Sequence, residues 1–141
     1  MKSNINILIR KFKFKTWFEK SIEKFEKIEN LKPEQISIVI VGDQRIKTLN
    51  KKYRRKNEVT DVLSFVQNDI DKKYRLEKNN YLGEIFINFR QAERQSKNVK
   101  EEILNLLVHG YLHLRGHTHD NDKDMLKVKK LTEKIVLKIM K

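Results

Sequence analysis

The 141-residue sequence contains no cysteine, one proline and four glycines. The absence of cysteine excludes disulfides, thiolate zinc sites and iron–sulfur clusters, so any metal must be held by nitrogen or oxygen. Because the chain shows neither a repeat nor a linker-like segment, we expect one domain over residues 1–141. No apolar run approaches the length of a membrane span or of a signal-peptide core, which predicts a cytoplasmic protein without a membrane partner.

Positive charge dominates the composition. The chain has 32 lysines and arginines against 19 acidic residues, a formal net charge of +13. Such a charge surrounds the protein with a positive field that concentrates polyanions such as RNA. The heavy use of Lys, Asn and Ile is also what an AT-rich genome produces. The charge therefore permits RNA binding without demonstrating it.

Hydrophobic periodicity predicts an α+β fold. Strands are expected at 4–10, 35–41, 62–66 and 81–88, and a charged loop at about 72–80. Helices are expected at 16–29 with Thr16 as N-cap, after Asp43 as N-cap of a short helix with Ile46, Leu49 and Tyr53 on one face, and at 89–97, 100–115 and 122–141. The last helix carries an apolar stripe of Met125, Val128, Leu131, Ile135 and Ile139.

The helix at 100–115 differs from the others because it is apolar on nearly every side. A helix with this pattern is a buried one. The sequence therefore predicts a small mixed four-stranded sheet flanked by helices, with a central buried helix.

All four histidines lie within the segment HGYLHLRGHTH at 109–119. His109 and His113 are four residues apart on the buried helix, so both side chains leave the same face and can share one tetrahedral metal ion. Gly116 suits a helix end that turns the chain back, which brings either His117 or His119 to the same ion. Three protein ligands leave a position for water, as in catalytic zinc sites. The spacing predicts Zn²⁺, with another divalent transition metal such as Ni²⁺ as an alternative.

The spacing HxxxHxxGxxH is that of the metzincin proteases, except that Gly110 stands where those enzymes place a glutamate base. Without that proton acceptor, peptide hydrolysis is unfavourable. A glycine inside a helix costs about 1 kcal/mol relative to alanine. We expect this glycine to leave open space beside the metal.

A second cluster is basic. The segment LNKKYRRKNEVTDVLSF at 49–65 places an aromatic residue among positive charges, a composition that suits a phosphate backbone and a stacked base. Its candidate RNA-binding residues are Lys51, Lys52, Tyr53, Arg55 and Lys56.

Together, the blocks LNKKYR and TDVLSF, LGEIFI at 82–87 and LLVHGYLHLRGHTH at 106–119 resemble the signature blocks of the YbeY family, in order, over about residues 43–124. These proteins are bacterial single-strand-specific endoribonucleases implicated in small-subunit ribosomal RNA maturation and ribosome quality control. The resemblance implies metal ligands at His109, His113 and His119 and a catalytic arginine at Arg54. It also implies single-stranded RNA and the small ribosomal subunit as partners, with no DNA.

The chain departs from the family pattern at three places. Residues 57–60 (NEVT) lack the proline of the family's Asp-x-Pro-Thr, Val66 replaces a proline after the Ser-Phe pair, and Thr118 replaces an aspartate before the last ligand. The general base is left open among His117, Asp61 and Glu84. Two alternatives remain open. One is a ribosome-assembly factor that binds RNA without cutting it and holds a structural zinc, and the other is a metal hydrolase of small phosphate or amide substrates.

Overall fold

The structure is a computed structural model that describes residues 4–32, 34–66 and 81–141. The elements in chain order are β1 Asn4–Ile7, α1 Lys15–Ile28, β2 Ile36–Val41, α2 Asp43–Arg54, β3 Val62–Val66, β4 Gly83–Asn88, α3 Phe89–Gln95, α4 Val99–Leu114 and α5 Asp122–Met140. The loop expected at about 72–80 lies outside the described residues. None of the helices in the described ranges has both the length and the apolar character that crossing a bilayer requires.

The four strands form one mixed sheet in the order β1-β2-β4-β3. β1, β2 and β4 run parallel, with Ile38 of β2 between Ile5 and Ile85. β3 lies antiparallel to β4, with Ser64 opposite Ile85, and β4 is its strand partner among the described residues. This arrangement confirms the predicted small mixed sheet.

Alternation along the strands gives the sheet two different faces. One face carries fully buried isoleucines, such as Ile38 and Ile85, and packs in the main core with α1, α4 and α5. The other face packs against α2, where Ile46 lies among Val39, Val41 and Phe86. The central position of α4 follows from its sequence, because nine of its residues are buried: Ile103, Leu104, Leu106, Leu107, Val108, Gly110, Tyr111, Leu112 and Leu114.

Asparagine side chains cap the three C-terminal helices. Asn88, Asn98 and Asn121 precede α3, α4 and α5, and each side chain accepts a hydrogen bond from a backbone N–H in the first turn. The expected caps of the first two helices are wrong. Thr16 lies inside α1, whose cap position is Phe14.

Asp43 is the first residue of α2, and Gly42 occupies the cap position. The Asp43 carboxylate instead accepts hydrogen bonds from Arg94 (Nη2 to Oδ1, 2.6 Å) and Asn88 (Nδ2 to Oδ1, 2.8 Å). The Arg94 hydrogen bond, followed by that from Asn88, holds the pKa of Asp43 below its usual range. Tertiary partners therefore determine the role of this aspartate.

Candidate metal centre

The end of α4 and the turn that follows it position three histidines. His109 and His113 lie one turn apart on α4, which ends at Leu114. Gly116 adopts a φ of +94°, a conformation that side-chain-bearing residues rarely adopt. Backbone N–H groups of Gly116 and His117 then donate to the carbonyls of His113 and Leu112, each at 3.0 Å. This turn reverses the chain and returns His119 to the helix face that carries the other two.

The three imidazoles face one another closely enough to hold one ion. Ring centroids are separated by 5.0 Å for His109 and His113, 4.7 Å for His109 and His119, and 4.6 Å for His113 and His119. One ligand nitrogen from each ring lies within 4.8 Å of the other two. His119 Nε2 is buried and has no hydrogen-bond partner among the described residues. A buried nitrogen of this kind is accounted for by a bound cation, so the residues fit a divalent metal.

The electrostatics favour the ligating form of the rings. Burial, followed by the neighbouring His109 and His119, lowers the pKa of His113 to about 4, and the Arg54 charge acts in the same direction. Burial, with a smaller contribution from His119, also lowers the pKa of His109, against an opposing effect of Asp61. Both rings are therefore neutral at physiological pH, as metal coordination requires.

The structure distinguishes the two histidines that were left open as a third ligand. His119 joins the cluster with His109 and His113, whereas His117 does not belong to this group. His117 nevertheless lies close enough for its charge to lower the pKa of His113. Thr118, at the position where the family often has aspartate, donates from Oγ1 to Asp124 Oδ2 at 3.0 Å. The turn is thereby tied to the first turn of α5.

The expected role of Gly110 is wrong. The residue is buried, and a Cβ placed there would lie 2.8 Å from Ile85 Cγ2 and 3.4 Å from Val62 Cγ2. It therefore faces the sheet rather than open space beside the histidines. The missing side chain allows α4 to approach β4 closely, which is a packing requirement.

Arg54 lies at the C-terminal end of α2 and reaches the edge strand β3. Its Nη2 donates to the Ser64 carbonyl at 2.7 Å, and its guanidinium lies 4.9 Å from the centre of the Phe65 ring. Arg54, Ser64, His109 and His113 line one cleft of about 400 Å³. The sequence predicted an arginine near the metal site but contained no sign of the backbone oxygen that orients it.

The residues predicted to bind RNA, four basic and one aromatic, surround Arg54 at the same end of α2. All are exposed: Lys51, Lys52, Tyr53, Arg55 and Lys56. The Tyr53 ring packs edge-on to Phe65 with a centroid separation of 5.2 Å, yet 45% of the residue is exposed. Lys52 Nζ lies 5.2 Å from the centre of the Tyr53 ring. This exposed face combines cations with an accessible aromatic ring.

Two buried asparagines, which the sequence analysis missed, hold the segment that joins α2 to β3. Asn50 Nδ2 donates to the Glu58 carbonyl at 3.1 Å, and Asn88 Nδ2 donates to the Thr60 carbonyl at 3.1 Å. The Asn88 N–H also donates to the Asp61 carbonyl at 2.8 Å. These bonds fix the segment without the family's proline. The available signal was an asparagine four residues after Ile46, on an otherwise apolar helix face.

Two candidate bases lie in different places. Asp61 lines a second cleft together with His109 and His119, and its charge opposes the lowering of the His109 pKa. Glu84 follows Gly83, which faces Leu114 of α4, so strand alternation directs its side chain to the opposite face of the sheet. Burial raises the pKa of Glu84, but the histidines lie on the other side. The structure therefore removes Glu84 from the candidates.

Comparison with known proteins agrees with this geometry. The family model for endoribonuclease YbeY matches residues 2–140. Endoribonuclease YbeY from Phytoplasma australiense is 39% identical over 132 residues, covering 91% of this chain and 89% of the relative. The protein of the same name from Pelagibacter ubique is 36% identical, covering 90% of this chain and 84% of the relative.

A solved structure shares the fold. The solution structure of a Thermotoga maritima protein aligns with a TM-score of 0.61 and 25% identity, covering 96% of this chain and 87% of that one. The aligned fold, the matched family model and the three-histidine cluster agree with one another. The chain belongs to the YbeY endoribonuclease family.

Proposed function

We propose that this chain is a metal-dependent endoribonuclease that cuts single-stranded RNA at the three-histidine cluster. The observation that carries the proposal is the convergence of two neutral imidazoles, His109 and His113, and the Arg54 guanidinium on one cleft. Cation-binding nitrogens beside a permanent positive charge suit a phosphodiester better than a peptide. Residues 1–141 would act as a single domain in this role.

His109, His113 and His119 would hold the ion, and zinc is the first candidate because it favours imidazole ligands. Another divalent transition metal, such as Ni²⁺, suits the same donors. When bound, the ion supplies Lewis-acid chemistry and lowers the pKa of water. The Gly116 turn returns His119 to the two helical histidines, so the three donors lie together.

Arg54 would neutralise the charge that develops on the phosphoryl oxygens. A guanidinium is planar, permanently charged and able to donate two parallel hydrogen bonds to a phosphate. The bond from Nη2 to the Ser64 carbonyl and the contact with Phe65 restrict its orientation. A donor that is already oriented loses less conformational entropy on binding than a mobile one. Arginine therefore suits this position better than lysine, because its planar guanidinium is preorganised.

The strand would run along the exposed end of α2. Lysines and Arg55 there supply phosphate contacts, and the half-exposed Tyr53 ring supplies a stacking surface. We assign the physiological substrate to ribosomal RNA, at the 3′ end of the small-subunit molecule, with the small subunit as partner and no DNA substrate. The family membership and the net charge of +13 support this finer assignment.

Cleavage of a labelled single-stranded RNA by the zinc-loaded protein tests the proposal. We expect Arg54→Glu to lower the cleavage rate at least a hundredfold while zinc content stays at the wild-type value, because Arg54 is not a ligand. Arg90→Glu is the matched control: it removes an exposed arginine that also lies over an aromatic ring, 5.6 Å from the centre of Phe89. Its charge change is identical, so we expect near-normal cleavage.

His113→Ala should lose both zinc and cleavage. If the zinc-loaded wild-type protein binds RNA without cutting it, the proposed enzymatic activity is refuted. That result would favour the alternative of an assembly factor with a structural metal. Cleavage that survives Arg54→Glu would refute the role of the arginine.

A further inference from the structure

A second cleft borders the histidine cluster; it meets the Arg54 cleft at Val62 and His109, and Arg54 does not line it. It has a volume of about 660 Å³, within the range of pockets that hold small ligands, and it shares His109 and His119 with the cluster. Residues of α4 and of α5, the latter between Asp122 and Glu133, contribute most of its lining. An RNA strand bound at the histidines therefore passes the opening of this cleft.

Exposed apolar side chains line this second cleft. Met125 and Leu126, near the N-terminal end of α5, are each 51% exposed. Met125 was expected in the core stripe of the helix, so its exposure corrects that prediction. Val62 and Leu106 add apolar surface to the lining. Neighbouring exposed apolar residues at a concave surface mark a binding site more often than isolated ones do.

The charge of the second cleft is opposite to that of the protein. Among the described residues, its lining includes three acidic residues, Asp61, Asp122 and Glu133, and one lysine, Lys129. The cleft that contains Arg54 has no acidic residue in the described part of its lining. In a protein of net charge +13, the two clefts that meet at His109 thus differ in charge, since one contains Arg54 and the other is acidic and apolar. Phosphate is favoured in the first cleft and repelled in the second.

We propose that the second cleft holds a nucleobase of the RNA strand, next to the bond that is cut. This inference rests on the proposed function, since the strand must lie at the histidines. Unstacked bases of single-stranded RNA seek apolar surfaces, and a methionine thioether makes favourable contacts with aromatic rings. Carboxylates accept hydrogen bonds from the amino groups of bases, which gives the acidic lining a purpose.

The cleft shares residues with the metal cluster, and this favours a base over a protein segment as its occupant. Two of its lining residues, His109 and His119, belong to the cluster. A protein segment docked there would cover the ligands and obstruct the RNA. A base attached to the bound strand enters from the same site without doing so.

Cleavage of abasic RNA tests the proposal. A short single-stranded RNA with a mapped cleavage position is prepared with an abasic site at each flanking nucleotide in turn. With zinc-loaded wild-type protein we expect one abasic position to lower kcat/KM about ten- to hundredfold, the range typical of a lost stacking contact. In the double variant Met125→Ser/Leu126→Ser, the same abasic site should lower kcat/KM no more than about twofold relative to intact RNA.

The matched control is Leu137→Ser/Met140→Ser, which changes the same residue types at the far end of α5. These side chains are 60% and 52% exposed and do not line the cleft. We expect this control to keep the full wild-type abasic penalty. The proposal would be overturned if the abasic site lowers kcat/KM equally in the wild-type protein and in the cleft variant. It would also be overturned if no tested abasic position lowers kcat/KM.

A readout independent of cleavage separates this inference from the proposed function. The methyl resonances of Met125 and Leu126 are followed while a nucleoside 5′-monophosphate or ribose 5-phosphate is added to the zinc-loaded protein. We expect shifts with the nucleotide only, because ribose 5-phosphate lacks the base. Identical methyl shifts with both ligands, or no shift with either, would refute the base site. The cleft would then be interpreted as a surface for docking another protein. A wild-type protein that fails to cut RNA would refute the proposed function, while the methyl shifts still decide the cleft.

Discussion

Gly110→Ala measures how closely α4 must approach the sheet. The substitution has two opposing effects on the free energy of unfolding. Alanine in a helix is favoured over glycine by about 1 kcal/mol. Against this, the added Cβ would lie 2.8 Å from Ile85 Cγ2, a distance that real Cβ atoms essentially never show.

The packing term should be the larger one. Ile85 is fully buried on the central strand β4, so it cannot move into solvent to relieve the contact. Overpacking a core typically costs about 1–3 kcal/mol. We therefore expect Gly110→Ala to lower the free energy of unfolding by up to about 2 kcal/mol.

Urea denaturation of the metal-free protein supplies the value. Lys127, an exposed residue of α5, calibrates the helix term in the same protein, because Lys127→Ala and Lys127→Gly differ mainly in propensity. Ile85→Leu removes the β-branched methyl group that the new Cβ meets. In a double-mutant cycle we expect Gly110→Ala to be less destabilising in the Ile85→Leu background. A Gly110→Ala protein about 1 kcal/mol more stable than wild type would refute the close-packing argument.

Three further outcomes are expected. Asn88→Ala should lower the free energy of unfolding by about 2–4 kcal/mol in urea melts, because it removes a fully buried amide that donates to the Thr60 carbonyl and caps α3. A decrease below about 0.5 kcal/mol would contradict this expectation. Since the pKa of His113 is lowered to about 4 from 6.5, protonation favours the unfolded chain, and the Tm of the metal-free protein should fall as pH drops through this range. An NMR titration that places His113 near 6.5 would contradict it. Replacing Lys51, Lys52 and Lys56 by alanine should reduce the log–log salt slope of single-stranded RNA binding by about 2; an unchanged slope would remove them from the interface.

The residue pattern alone predicted that His109 and His113 lie together and left the third histidine open between His117 and His119, while the family resemblance pointed to His119. Spacing of four on a helix fixes two side chains on one face, and a glycine stop fixes the direction of the returning chain. Both are local rules, so the prediction of three histidines holds in the structure. All four strands occur where they were predicted, since alternation and β-branched runs are local signals, although β1 ends at Ile7 rather than at residue 10.

Errors arose where a side chain depends on its tertiary neighbours. Whether Gly110 faces the metal or the sheet depends on the rotation of α4 against β4, which the sequence of the helix does not contain. Glu84 lies in a block next to the histidine block in sequence, yet strand alternation sends it to the other face. Met125 fits the apolar stripe of α5 by spacing, but half of this residue is exposed. These three errors concern orientation between elements rather than the elements themselves.

A zinc titration tests the central claim most directly. Metal-stripped protein is mixed with increasing zinc, and the initial rate of single-stranded RNA cleavage is measured at each ratio. The three-histidine cluster predicts a rate that rises linearly and reaches a plateau at one zinc per chain. Cleavage at full rate without zinc, or no break at one equivalent, would contradict the assignment of His109, His113 and His119 as the site of RNA cleavage.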